Sequence, residues 1–296
     1  MRQSSYDGKA SLYLIPTPIG NLDDITIRAL NTLKMVDIVL CEDTRETGKL
    51  LNKYDIKKKL VSCHEFNEEK VKETVVNDLK NGLNIGLVTD QGTPIISDPG
   101  YIVVKEVIAN NLNVISLPGA TAFVPALTSS GIFPSQFLFY GFLNAKDSKQ
   151  KSELKSLKNL KYTMIFYEAP HRLKNTLNNM LDIFGDRYIS ISREISKIHE
   201  EILRDKISSL IDIADSLKGE FVLVVEGNHE VVDYSEMSIL EHVKLYVDDG
   251  MDEKEAIKLV AKERDIAKSI VYKEYHLGKW FYEISSRIRK SWKRIW

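Results

Sequence analysis

Short apolar runs alternate with amphipathic stretches through the first half of the chain. Residues 12–15, 37–41, 60–64, 85–89 and 114–117 are largely apolar and rich in Val, Ile and Leu. Their length suits strands, whereas 25–36 and 69–81 carry apolar residues at the three- and four-residue spacing of a helix face. Strands apolar on both faces, alternating with helices, predict a mostly parallel sheet covered on both sides. Gly131-Ile132-Phe133-Pro134 breaks the pattern and marks a boundary. A second set of strand-like runs follows at 137–142, 163–167, 188–193, 200–203 and 221–226, with helix-like segments at 173–184 and 207–217. Beyond Gly227 the pattern turns helical, over 235–296, and no repeat of fixed period is present. The expectation is an α/β fold of two α/β domains, 11–131 and 132–230, followed by a helical C-terminal appendage, 235–296.

Each strand of the first set runs into a polar or Gly/Pro loop. These are Pro16-Thr17-Pro18-Ile19-Gly20-Asn21, Glu42-Asp43-Thr44-Arg45, His64-Glu65-Phe66-Asn67, Asp90-Gln91-Gly92-Thr93-Pro94 and Pro118-Gly119-Ala120-Thr121. Open α/β sheets bind ligands just beyond the carboxyl ends of their strands, so a site is expected there. None of these loops has the Gly-x-Gly-x-x-Gly of a dinucleotide site or the Gly-Lys-Ser/Thr of a phosphate-binding loop, which removes support for NAD and ATP. The run from Thr89 to Gly100 packs two Gly, two Pro and two Asp into one segment. So long a polar loop is either a rigid turn or a ligand-holding device.

Charged residues cluster at the same strand ends. Glu42, Asp43, Glu168 and Glu194 each follow an apolar run, and His64 ends another. A carboxylate in such a place serves as a proton acceptor, an anchor for a cationic ligand or a helix cap, and the sequence leaves these roles open. Arg45, Arg172 and Arg193 suit bidentate contact with phosphate or carboxylate, or a structural ion pair.

Composition narrows the class. The chain has 296 residues, 43% apolar and 28% charged, which excludes a disordered, collagen-like or disulfide-rich protein. Its length suits two domains. Cys41 and Cys63 both lie in apolar runs and read as reduced core thiols, and no metal-ligand spacing is present. Residues 1–10 lack the apolar stretch of a signal peptide, and no run approaches the ~18 residues of a membrane span. A cytoplasmic protein without stable membrane association is expected. The net charge of −1 conceals segregation. Segment 144–161 holds six lysines against Asp147 and Glu153, and 279–296 holds six Lys/Arg against Glu283. The first reads as a solvated loop or a phosphate-contacting surface. In the second, helical spacing sets Phe281, Ile284, Ile288, Trp292 and Ile295 on one face, opposite Lys279, Arg287, Lys290, Lys293 and Arg294. That face suits packing on its own domain or a dimer mate, RNA, or an anionic membrane surface.

Seven motifs, in order, carry a resemblance. They are Leu-Tyr-Leu-Ile-Pro-Thr-Pro-Ile-Gly-Asn-Leu-Asp-Asp-Ile-Thr (12–26), Cys-Glu-Asp-Thr-Arg (41–45), His-Glu-Phe-Asn-Glu (64–68), Thr-Asp-Gln-Gly-Thr-Pro-Ile-Ile-Ser-Asp-Pro-Gly-Tyr (89–101), Pro-Gly-Ala-Thr-Ala (118–122), Tyr-Glu-Ala-Pro-His-Arg (167–172) and Lys-Gly-Glu-Phe-Val-Leu-Val-Val-Glu-Gly (218–227). Together they resemble the ribosomal RNA small-subunit methyltransferase I family of the tetrapyrrole-methylase superfamily. The likeness continues at 254–261 and 271–276, which are similar to that family's small C-terminal helical domain.

The resemblance implies two α/β domains of the tetrapyrrole-methylase type with S-adenosyl-L-methionine held in the cleft between them. It implies 2′-O-methylation of a cytidine ribose in the decoding region of 16S rRNA, in the small ribosomal subunit, by a homodimer. Carried over by motif, the cofactor contacts are Pro18, Ile19 and Gly20; Gln91, Gly92, Thr93, Pro94 and Ile95; Gly119, Ala120, Thr121 and Ala122; Phe166 and Tyr167; and Gly219, Glu220 and Phe221. Gln91 stands where the family usually has Ala, and Ala120-Thr121 where it usually has Pro-Ser. For the proton of the ribose hydroxyl, the candidate acceptors are Glu42, Asp43, His64 and Glu168, with Arg45 and Arg172 seating phosphates. Two rivals remain. A tetrapyrrole methyltransferase would carry Gly-x-Gly-Pro-Gly-Asp in its first loop, which 16–21 does not. A ribosome-assembly factor would bind RNA without catalysis.

Overall fold

The structure is a computed structural model that describes residues 3–5, 7–229 and 237–292, the side chains of 281–292 excepted. Its first sheet is built by strict strand–helix alternation: β1 (Ser11–Leu14), α1 (Ile27–Met35), β2 (Ile38–Cys41), α2 (Thr44–Lys53), β3 (Lys59–Ser62), α3 (Glu68–Lys80), β4 (Ile85–Leu87), α4 (Tyr101–Ala109) and β5 (Asn113–Ser116). All pairings are parallel, in the order β3-β2-β4-β1-β5. The continuous apolar strands have a direct cause. Leu12, Leu14, Ile38, Leu40, Ile85 and Leu87 face α3 and α4, burying Val75, Leu79, Val103 and Val107. Ile15, Val39, Cys41 and Val88 face the other way, onto Ala29, Leu33 and Leu51 of α1 and α2. Cys41 and Cys63 are free and buried, and they belong to these two opposite layers, which explains why they are not paired. Burial pushes the Cys63 thiol up to about 12.

The helix starts follow side-chain capping. Thr26 accepts from the Ala29 N–H at the start of α1, and Asp43 from the Arg45 N–H at the start of α2. The expected helix at 207–217 is broken into α8 (Ile207–Ile211) and a 3-10 turn over Ala214–Ser216. Only Ile207, Leu210 and Ala214 of that stretch are buried, too few for a continuous apolar face.

The second sheet is mixed. Its strands are β6 (Phe137–Phe142), β7 (Thr163–Glu168), β8 (Tyr188–Arg193), β9 (Glu201–Lys206) and β10 (Phe221–Val225), in the order β6-β7-β10-β8-β9. Only β6 and β7 run parallel. One face packs on α6 (Asp147–Leu157) and α7 (Leu173–Phe184). The other receives Ala126 and Leu127 of α5 (Phe123–Ser129), so the helix after β5 covers the sheet that follows it. The lysine-rich segment is therefore not a loop. It forms α6, with Gln150 and Leu154 buried, one turn apart, and its lysines mostly exposed. Leu154 is its single buried apolar position, so the charged run left little periodic signal.

A buried polar network fixes α6. Glu168, at the end of β7, accepts from the Ala169 N–H (2.8 Å) and the Thr176 hydroxyl (2.5 Å). Thr176 in turn accepts from Gln150 Nε2 (3.0 Å), and Asn179 Nδ2 donates to Gln150 Oε1 (2.6 Å) and Asp147 Oδ1 (2.8 Å). Arg172 sits 3.2 Å from Glu168 and donates to the Leu143 and Asn144 carbonyls.

The chain divides into two compact units, 1–228 and 229–296. The second holds α9 (Ile239–Asp248), α10 (Glu253–Glu263) and α11 (Lys268–Trp292), around Val243, Ile257, Val260, Val271 and Tyr275. Ser238 and Glu241 form a reciprocal cap at its first helix. Lys279 pairs with Glu253 at 2.7 Å. The rest of the basic amphipathic tail, from 281 onward, has its side chains outside the described residues.

Two substitutions test this packing. Thr176→Val keeps the shape but strips Glu168 and Gln150 of a partner, and should cost about 1–3 kcal/mol. Gly227→Ala would set a Cβ 2.3 Å from the Lys161 carbonyl oxygen, a backbone atom held in place, and should cost about 1–3 kcal/mol. Urea unfolding measures both as a lowered midpoint with an unchanged slope.

Candidate active site

Three strand-end loops of the first sheet are stitched into one wall. Thr17 and Gly92 exchange backbone hydrogen bonds, at 2.9 and 3.1 Å. The Thr17 hydroxyl donates to the Thr89 carbonyl (3.1 Å), and the Thr93 hydroxyl to the Ala120 carbonyl (2.9 Å). Gly92 is required at the join. Its φ is +86°, and a Cβ there would meet Ile19 Cγ2 at 3.3 Å. The same loop carries Ile95 at φ +77° and Ser97 at +67°. A β-branched residue in the left-handed region costs about 1–3 kcal/mol, and such strain gathers at functional loops.

Facing this wall are residues of the second sheet. Tyr167 of β7, Phe142 of β6, and Phe221 and Val222 of β10 close a cavity of about 460 Å³. Phe139, Tyr167 and Phe142 form an aromatic file, with ring centroids 5.1 and 5.5 Å apart. Burial raises the Tyr167 phenol above its usual range. The two sheets are tied beside the cavity. The Ser196 hydroxyl donates to Asp24, and Lys197 bridges Glu194 (3.1 Å) and Glu220 (2.9 Å). Arg193, beside them, pairs with Glu201 at 2.7 Å.

Nine of the expected cofactor contacts line this cavity: Ile19, Gln91, Gly92, Thr93, Thr121, Ala122, Tyr167, Glu220 and Phe221. Gly119 and Ala120 line an adjoining one of about 410 Å³, which shares Ile19 and Thr121. Pro18, Gly20, Pro94, Ile95, Phe166 and Gly219 line neither. Strand alternation explains Phe166. Its side chain is fully buried in the α6/α7 core, opposite Tyr167. Gly20 lies against Lys197, across the two sheets, and Gly219 against Glu194, within the second.

The cavity also contains residues that sequence reasoning passed over: Asp90, Ile96, Ser97, Asp98, Phe142, Ala169, Pro170, Ile195 and Val222. Asp90 and Asp98 lay within a loop already singled out for its composition. Phe142 and Ile195 are brought in only by the second sheet, and nothing local marks them.

The proposed proton handlers separate. Asp43 caps α2 and grips Arg45 through both carboxylate oxygens, which holds it down to about 2. The Arg45 guanidinium is 84% exposed and open to further contact. Glu168 has both oxygens engaged by the chain itself, and Arg172 is spent on Glu168 and two carbonyls. Glu168 lines the cavity, but its geometry is that of an anchor for α6, not of a proton acceptor, and Arg172 is likewise structural.

His64 receives no partner at its buried Nδ1 among the described residues. It lies near Glu42, whose carboxyl is raised by burial and by Asp90. Asp90 is raised too, by burial and by Asp43 and Glu46, although its Oδ1 accepts from the Asp43 N–H at 3.2 Å. Asp98 is raised furthest, to about 6, by burial and by the charges of Glu42 and Asp90. Among the described residues no group of three or more His, Cys, Asp or Glu is placed to hold a metal ion. The arrangement is a largely apolar, partly open cavity with carboxyls at one end, one of them, Asp98, raised to about 6.

Residues 11–211 match the family described as Tetrapyrrole (Corrin/Porphyrin) Methylases. In fold, the chain is similar to uroporphyrin-III-C-methyltransferase from Thermus thermophilus (TM-score 0.54, 17% identity, covering 74% of this chain and 94% of that one). It is equally similar to a cobalamin biosynthetic enzyme, cobalt precorrin-4 methyltransferase (TM-score 0.54, 17% identity, 73% and 94%). Two relatives named ribosomal RNA small subunit methyltransferase I are far nearer in sequence. The protein from Bacillus subtilis (strain 168) is 49% identical over 287 residues, and that from Halalkalibacterium halodurans 47% over 284. Each alignment covers 93% of this chain and 98% of the relative. With identity at that level over nearly the whole of both chains, this chain belongs to the ribosomal RNA small subunit methyltransferase I family of the tetrapyrrole methylases.

Proposed function

We propose that the chain methylates the 2′-hydroxyl of a cytidine ribose in the decoding region of 16S rRNA, with S-adenosyl-L-methionine as donor. It acts on the small ribosomal subunit, in the cytoplasm, as a homodimer. Membership of the family supports the rRNA substrate and the methyl donor. No helix among the described residues is long and apolar enough to cross a membrane. The observation that carries the reading is the chamber between stitched loops and aromatic wall, lined by the carboxyls Asp90 and Asp98 beyond β4.

The residues suit the donor. A volume of about 460 Å³ is that of a small-molecule site. Gly92, hemmed by Ile19 and the Ala120 carbonyl, leaves the space that a side chain would fill. Ile19, Gly92, Thr121, Ala122, Tyr167 and Phe221 would hold it, with Glu220 at the rim. Gln91 lines the cavity and is exposed to solvent. Bound there, the donor supplies a sulfonium methyl that needs no activation by the protein. The chain's own work is to exclude water, hold the ribose in line and take a proton.

The lysines of α6 support an RNA substrate. Phe142 lines the cavity, and α6 begins only five residues later. The Glu168–Thr176–Gln150 chain of hydrogen bonds holds that helix against the strand whose Tyr167 forms the cavity wall. Lys149, Lys155 and Lys158 are exposed there, free to meet phosphates.

Two outcomes are expected. Tritiated methyl transfer to unmodified 30S subunits should label one cytidine, on its ribose, when the modified nucleotide is mapped; donor binding without transfer would overturn the reading. Replacing Lys149 and Lys155 with Gln should weaken subunit binding and flatten its dependence on log salt by about 1 per lysine, as read by filter binding across a salt series.

A further inference from the structure

Four side chains were candidates to accept the ribose proton, and the geometry removes most of them. Asp43 is a helix cap held by Arg45, and Glu168 is saturated by Ala169, Thr176 and Arg172. Glu42 and His64 do not line the cavity. Asp98 does, and no role has been assigned to it. We infer that Asp98 is the catalytic base, taking the proton of the attacking ribose hydroxyl; this rests on reading the cavity as a methyl-transfer site.

Three observations meet at this residue. It is held in place from both sides. The left-handed turns at Ile95 and Ser97 precede it, and the start of α4 beyond it is fastened by Glu68, which accepts from the Ile102 N–H at 3.0 Å. It has a buried polar neighbour. Thr89 is only 2% exposed, and its hydroxyl stands beside both Asp98 and Glu42, where it stabilises their carboxylates. It faces other acids. Glu42 from the end of β2 and Asp90 from its own loop oppose its ionisation, the Thr89 hydroxyl favours it, and Tyr167 looks on from β7. Glu42 itself faces His64 and Asp43. The result is a carboxyl that is ionised at neutral pH yet binds a proton far better than an ordinary aspartate.

The step balances. A lone pair of the 2′-oxygen forms the bond to the methyl carbon as the carbon–sulfur bond breaks toward sulfur. The hydroxyl proton passes to a carboxylate oxygen of Asp98. The positive charge of the sulfonium and the negative charge of the carboxylate disappear together, leaving a neutral thioether, a methyl ether and a carboxylic acid.

The signs of the pH effects follow. Transfer requires ionised Asp98, so the rate should climb about tenfold per pH unit below about 6 and level off above it. Stability behaves oppositely. The folded carboxyl holds its proton more tightly than the unfolded one, so this group makes stability fall as pH rises from about 4 to about 6.

The test uses the full-length protein. Asp98→Asn should slow single-turnover methyl transfer to 30S subunits by about 10²–10⁴-fold, retain S-adenosylmethionine binding by calorimetry, and lessen the fall in urea midpoint between pH 4 and 6, to which the raised Glu42 and Asp90 also contribute. Glu42→Gln, which leaves Asp98 in place, should move the rate inflection to lower pH. A transfer rate within a few-fold of wild type in Asp98→Asn overturns the assignment, as does an inflection that Glu42→Gln leaves in place or removes. A wild-type chain that labels no ribose defeats the functional reading and this inference with it, whereas active wild type with an equally active Asp98→Asn defeats the inference alone.

Discussion

A parallel sheet buried on both faces confines polar chemistry to the ends of its strands. Leu12, Leu14, Leu40 and Leu87 on one side, and Ile15, Val39 and Val88 on the other, are committed to helices. No position within β1, β2 or β4 is left to meet a ligand. Function is therefore displaced into the loops beyond Leu14, Cys41 and Leu87, and those loops must be ordered without a sheet to order them. The structure does this with backbone and hydroxyl bonds from Thr17 to Gly92 and Thr89, and from Thr93 to Ala120. The cavity wall is an extension of the sheet by other means.

Order of that kind has a cost, and it is concentrated in one segment. The run after β4 carries two non-glycine residues in the left-handed region and two carboxyls, Asp90 and Asp98, whose ionisation is opposed by burial and by neighbouring acids. Each is unfavourable in isolation. They persist because the double-sided core on either side of β4 stabilises the fold by far more than one loop can remove. Strain and raised carboxyl pKa values in the same dozen residues make this segment the chemical end of the cavity.

The second sheet contributes differently. Tyr167 offers an aromatic surface to the cavity while Phe166, one residue earlier, is locked in the core, and Glu168, one later, anchors a helix. One strand thus supplies cavity wall, core packing and attachment of a basic surface at three successive positions. The buried network through Thr176, Gln150 and Asn179 makes the lysine-rich helix a rigid continuation of the cavity wall.

Local patterning alone determined the strands and the flanking amphipathic helices of the first sheet, because double-sided burial writes itself into continuous apolar runs. The ordered loop motifs identified the family and nine residues of the cavity. The sequence reading failed where a residue's role depends on contacts far along the chain. Glu168 and Arg172 were left open between reactive and structural roles, and partners 8 to 29 residues away engage them. Phe142 and Ile195 carry no local mark, and α6 was hidden by its charge. Asp98 was visible only as one acid in a polar loop. Its setting depends on Glu42, 56 positions earlier, and on the burial that the facing sheet creates, and only the tertiary structure brings these together.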